Sequence, residues 1–111
     1  MPVIDKATFE ELKQMSGADF INELIDAFLE DAPNMIQNMQ TAVEVGDVET
    51  FRRNAHSLKS NAYTFGATAL GGLARELEVM ARESNLALGN RLEVLMEEFA
   101  TVAQELRGLR I

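Results

Sequence analysis

The sequence predicts an all-α protein: an antiparallel four-helix bundle with a short additional helix at its N-terminal end. Three observations predict it. Apolar residues recur at spacings of three and four through five segments. No run alternates apolar and polar residues with enrichment in Val, Ile or Thr, so no strand is expected. Short turns containing glycine or asparagine separate the segments, as antiparallel neighbours require.

The first helix is expected over residues 5–16. Asp5 is a suitable N-cap, and Ile4 and Phe9 occupy the two positions of a hydrophobic staple. Phe9, Leu12 and Met15 form its apolar stripe, and Gly17 ends it. The second helix is expected over 19–45, with Ile21, Leu24, Ile25, Phe28, Ala32, Ile36, Met39 and Val43 inward. Pro33 lies inside this pattern, where a missing N–H and a clash with the preceding turn predict a kink or a break into two helices. Gly46-Asp47 reads as a stop followed by an N-cap.

The third helix is expected over 48–65, with Val48, Phe51, Ala55, Leu58, Ala62 and Phe65 making a bundle seam. Gly66 is placed to terminate it. The fourth spans 68–84, through Leu70, Leu73, Ala74, Leu77, Met80 and Ala81. Gly71-Gly72 near its start implies close helix packing. After a connection at 85–90, the fifth helix runs over 90–108 through Leu92, Leu95, Met96, Phe99, Val102, Ala103 and Leu106.

A chain of 111 residues fits one domain, 1–111, with a modest core. With no cysteine, disulfides, thiol chemistry and Cys-based zinc sites are excluded, and a single histidine leaves no metal site expected. No signal-peptide pattern opens at Met1-Pro2-Val3-Ile4, and no apolar run would span a bilayer, so a cytoplasmic protein without membrane contact is expected.

The net charge of −8 argues against nucleic acid as a partner. Its distribution says more. Residues 5–49 carry eleven acids and two bases, whereas 52–82 carry five bases and two acids. The one basic stretch therefore brackets the one histidine, His56. Such a patch suits a phosphoryl group or an acidic docking surface.

His56 follows a seam residue, and one residue is about 100° around a helix, so His56 flanks the core. Arg52, Lys59, Ser60 and Tyr63 share its face. The fourth helix returns antiparallel after Gly66, which brings Glu78 to the height of His56 on the adjacent helix. A carboxylate there can accept a hydrogen bond from one imidazole nitrogen and leave the other as a nucleophile. Lys59 can offset charge on phosphoryl oxygens, and Arg52 and Arg75 are further candidates for that work or for docking. The plainer reading makes His56 a surface residue, Arg52 and Lys59 solvated charges, and Glu78 a helical-spacing partner of Arg75 or Arg82.

The run Ala55-His56-Ser57-Leu58-Lys59-Ser60, continuing to Gly66, Leu70, Leu73 and Leu77-Glu78, resembles the signature of the histidine-containing phosphotransfer (HPt) family. That signature reads approximately A-H-x-L-K-G, then a glycine, a leucine and a closing L-E or L-Q. Phe28, Glu30-Asp31 and Asp47 extend the resemblance over nearly the whole chain. One position departs: Ser60 stands where the family usually has glycine. The resemblance implies that His56 is phosphorylated, most often on Nε2, that Lys59 assists electrostatically and that Glu78 orients the imidazole. Arg52, Ser60, Tyr63 and Arg75 would lie on the docking surface. The implied partners are a response-regulator receiver domain, whose aspartate exchanges the phosphoryl group, and a sensor or hybrid histidine kinase. The receiver would hold Mg²⁺, and this chain would need no cofactor. No G-x-x-x-x-G-K-[ST] loop or kinase glycine-rich motif is present, which predicts a phosphoryl carrier without an ATP site rather than an enzyme; a monomeric protein is expected. The alternative is a phosphorylation-independent helical module that binds receiver domains.

Overall fold

The computed structural model describes residues 3–111. Met1 and Pro2, with which the expected absence of a signal peptide begins, lie outside them. Five helices follow in order: α1 (Lys6–Ser16), α2 (Ala18–Val45), α3 (Val48–Thr64), α4 (Thr68–Arg82) and α5 (Arg91–Leu109). No strand occurs among the described residues. Neighbours in sequence are neighbours in space: α2 packs on α3, α3 on α4, α4 on α5, and α5 closes the ring against α2. The bundle measures 41 × 25 × 20 Å. The α3–α4 interface is the most extensive, and it carries the site described below.

The local signals operate as their chemistry requires. Asp5 caps α1, its carboxylate accepting from the Thr8 backbone N–H at 3.3 Å and from the Thr8 hydroxyl. Ile4 and Phe9, the staple pair, are both buried. Asp47 caps α3 by accepting from the Thr50 N–H at 3.1 Å and the Thr50 hydroxyl at 2.6 Å. The Thr50 side-chain hydrogen bond, with that from its backbone, holds the Asp47 carboxyl below its ordinary range. Gly46 follows α2 in the left-handed conformation, with φ of 72°.

One expectation is corrected, and one open alternative is decided. Met15 is 85% exposed rather than part of the α1 stripe. Steps of three residues fall about 60° short of a full turn, so a stripe built on Phe9, Leu12 and Met15 rotates out of the core by its third member. The second helix does not divide at Pro33; α2 is one element from Ala18 to Val45. The proline ring is exposed, and the Asn34 amide donates to the Glu30 carbonyl in the turn where backbone bonding is depleted.

The α2 face buries Ile21, Ile25, Phe28, Ala32, Ile36 and Met39 against Phe51, Ala55, Leu58 and Ala62 of α3. Phe28 meets Phe65 at the end of α3, centroids 5.2 Å apart, and Phe99 of α5 edge-on at 5.8 Å. The C-terminal end of α5 is tied back to α2. Arg110 donates twice to Asp26, each at 2.8 Å, and the Asn22 amide makes a donor and an acceptor bond to the Ile111 backbone, both 2.9 Å.

Gly66 fixes the end of the bundle nearest α1. It adopts φ of 81° in the α3–α4 turn, and its carbonyl accepts from the Asp5 N–H at 2.8 Å. An added Cβ would lie 2.8 Å from the Asp5 carbonyl oxygen. Only glycine fits both constraints.

Candidate functional site: a histidine bonded to a buried carboxylate

Ala55 and Leu58 are fully buried on α3, which turns the intervening residues outward. His56 is consequently exposed, with 52% of its side chain accessible. On α4 the opposite has happened to Glu78. It follows Leu77 at the edge of the core and is only 1% exposed, the one buried charged residue among those described. A buried carboxylate needs partners for both oxygens. Glu78 has them: His56 Nδ1 lies 2.7 Å from Oε2, Lys59 Nζ lies 2.7 Å from Oε1, and Arg82 Nη2 donates to Oε2 at 3.1 Å.

Burial pushes the Glu78 carboxyl up, but the hydrogen bonds and charges of Lys59 and His56 outweigh it and hold the group below the usual glutamate range. Glu78 is therefore an anion near neutral pH. An ionised carboxylate only accepts hydrogen bonds, so the proton in the His56–Glu78 contact belongs to Nδ1. When the imidazole is neutral, its lone pair is then on Nε2, the nitrogen not engaged with Glu78.

The structure brings Glu78 to His56, as the spacing predicted, and joins Lys59 to Glu78, a pairing the spacing did not predict. It also settles which arginine pairs with Glu78: Arg82, at helical spacing, while Arg75 is exposed and makes no ion pair among the described residues. Arg82 is a member of the site that sequence reasoning weighed only as a surface partner. Its position one turn beyond Glu78 was the available signal. Arg52 is half-buried and holds Glu49, one turn back on α3. Ser60 is exposed on the His56 face. Tyr63, 41% exposed, lays its ring over Gly71 of α4. A Cβ at Gly71 would come within 2.7–2.8 Å of the ring. At Gly71 the glycine pair thus serves close packing, as expected. Gly72 does not, because a Cβ there meets nothing within 4 Å.

The family described as Hpt domain matches residues 23–110. The chain belongs to the HPt domain family. HPt domains are histidine phosphotransfer proteins of phosphorelays, and the bundle seen here is an HPt bundle. The phosphorelay protein LuxU of Vibrio vulnificus, from strains YJ016 and CMCP6, is 27% identical over 85 residues, covering 77% of this chain and 74% of LuxU. The crystal structure of histidine-containing phosphotransfer protein B (HptB) from Pseudomonas aeruginosa PAO1 superposes with a TM-score of 0.88 at 28% identity. That match covers 98% of this chain and 95% of HptB. None of the helices among the described residues is long and apolar enough to cross a membrane.

Proposed function

We propose that His56 carries the phosphoryl group on Nε2 and exchanges it with an aspartate of a response-regulator receiver domain. The observation that carries this reading is the 2.7 Å bond between His56 Nδ1 and the buried Glu78 carboxylate. It fixes the ring and its tautomer, and it leaves the accessible nitrogen as the nucleophile. In the accepting direction the Nε2 lone pair forms a bond to phosphorus as the bond from phosphorus to the aspartyl oxygen breaks. The carboxylate leaves with its electron pair. The positive charge that develops on the ring is offset by Glu78 through Nδ1–H. In the donating direction the same atoms move back.

Lys59 acts through Glu78 as well as by its charge. Its ammonium holds Oε1, so Oε2 stays turned toward His56. Arg82 supports Oε2 from the solvent side. The chain contributes the nucleophile and a docking face. The receiver contributes Mg²⁺ and most of the charge stabilisation that in-line transfer requires. The chain works as a monomeric cytoplasmic carrier without an ATP site, phosphorylated by way of a sensor or hybrid kinase. Arg52, Ser60, Tyr63 and Arg75 are on the face that the receiver covers.

The test is transfer from a phosphorylated receiver in the presence of Mg²⁺, read by intact mass and acid stability. One acid-labile, alkali-stable phosphoryl group is expected, and His56→Gln should lose it while keeping the helical circular dichroism of the parent. Labelling that survives His56→Gln would refute the assignment. Receiver binding without exchange would make the chain an interaction module instead.

A further inference from the structure

Ser60 occupies the position at which this chain departs from the family signature, and the relay reading gives its hydroxyl no task. Its placement does. On α3, α4 lies on the side of His56 where Lys59 reaches Glu78. The α2 helix lies on the opposite side, where the Asn38 amide donates to Asn54 Oδ1 at 3.2 Å. Helical geometry puts Lys59 about 60° from His56 toward α4, and Ser60 about 40° from it toward α2. His56 directs Nδ1 at α4 through Glu78, so the opposite edge of the ring, with Nε2, is turned away from α4.

Side chains on a helix lean toward its N-terminus. Ser60 therefore leans back toward His56, four residues earlier. Arg53, also on the α2 side, leans away from it, and its charge acts on Asp47 and Glu49 at the start of α3. The cations on the other side are committed, Lys59 to Glu78 and Arg52 to Glu49. The Ser60 carbonyl accepts from the Thr64 hydroxyl at 2.9 Å, while the Ser60 hydroxyl has no protein partner among the described residues. It is an uncommitted donor on the side of α3 away from Glu78, one turn from His56.

We propose that the Ser60 hydroxyl donates a hydrogen bond to an oxygen of the phosphoryl group on His56 Nε2, making Ser60 a positioning residue that prolongs the life of the phosphorylated state. This rests on the reading of His56 as the phosphorylated residue. Loss to water breaks the Nε2–P bond and returns its electron pair to Nε2, while a water oxygen bonds to phosphorus and inorganic phosphate leaves. The transition state is loose, and the phosphoryl group moves off the nitrogen. A donor fixed on the protein holds the bound group better than the departing one, so it slows hydrolysis.

The experiment labels the protein with phosphoramidate, a small donor that needs no receiver, and follows hydrolysis by intact mass. The ³¹P resonance of the phosphohistidine is recorded alongside. Ser60→Ala, once labelled, should lose its phosphoryl group about 3- to 10-fold faster than the parent, the effect of one hydrogen bond of ordinary strength. Ser60→Thr, which keeps the hydroxyl, should restore the half-life and the resonance position. Equal half-lives for Ser60→Ala and the parent would overturn the proposal. So would equal acceleration in Ser60→Ala and Ser60→Thr, because the hydroxyl would then not be the cause. Failure of the parent to label, or label surviving in His56→Gln, would instead bring down the reading of His56, and the proposal with it.

Discussion

Glu78 is the residue on which the others depend, because it is the only one of the group fully withdrawn from water. Burial raises its carboxyl, but the hydrogen bonds and charges of Lys59 and His56 hold it below the ordinary glutamate range. A carboxyl with a depressed folded-state pKa contributes stability that is complete above the unfolded pKa and is lost as pH falls through the folded one. Glu78→Gln should therefore cost about 1–2 kcal/mol at neutral pH, a modest figure because His56 and Arg82 are half exposed. The difference from the parent should shrink once pH falls below about 4.5, as thermal melts from pH 7 to pH 3 would show. A gap that stayed constant across that range would mean that the carboxylate is not the stabilising species. The adjacent glycines supply a second comparison at the same scale. Gly72→Ala should stabilise the protein by about 0.5–1 kcal/mol, since alanine is the better helix former and nothing opposes its methyl group. Gly71→Ala has the same helical advantage but drives a methyl group into Tyr63, and it should cost about 1 kcal/mol net. Tyr63 is the only tyrosine and there is no tryptophan, so tyrosine fluorescence reports displacement of that ring directly.

At the scale of the helix, α3 was the most legible element and α1 the least. The α3 seam is buried from Phe51 to Phe65 with Val48 half-buried, and its cap and its start at Val48 are as expected, because apolar spacing and an Asp-x-x-Thr cap act within one or two turns. The site was legible for the same reason. His56 and Lys59 are one turn apart, and Glu78 follows from counting residues around the Gly66 turn. What stayed hidden depends on where a flexible side chain goes once the backbone is set. Lys59 could reach solvent or Glu78, and Glu78 could choose Arg75 or Arg82. Helical spacing permits each pair, and tertiary position decides. Met15 failed because three-residue spacing drifts around the helix. The junction of α1 with the α3–α4 turn was also invisible, since Gly66 could be read as a stop signal but not as a contact with Asp5. That contact makes a prediction about the element. Gly66→Ala strains a φ of 81° and pushes a Cβ to 2.8 Å from the Asp5 carbonyl. The variant should lose about 2–3 kcal/mol in chemical denaturation. It should also release α1 first, seen as faster amide exchange in Phe9 and Leu12 than in α3.

Across the whole molecule, the fold sorts charge by face. The acids of α1 and α2 and most of those of α5 are exposed, giving the net −8, while α3 and α4 carry Arg52, Lys59, Arg75 and Arg82, of which Lys59 and Arg82 meet Glu78 beside His56. A protein of this net charge repels an acidic partner at long range, yet the exchange proposed for His56 requires a receiver's acidic site to reach it. The resolution is local. Within a Debye length of about 8 Å at physiological salt, a partner over His56 is close to these bases, and the acidic remainder is largely screened. Arg75 is the cleanest probe of this, being exposed and free of any ion pair among the described residues. Arg75→Glu should leave the melting temperature nearly unchanged, slow association with a receiver that exchanges phosphoryl groups by several-fold, and weaken the dependence of that rate on salt. Arg107→Glu is the matched control: it makes the same charge change on an exposed part of α5, outside the cluster around His56. If stopped-flow association responded equally to both substitutions, net charge rather than the face around His56 would govern docking.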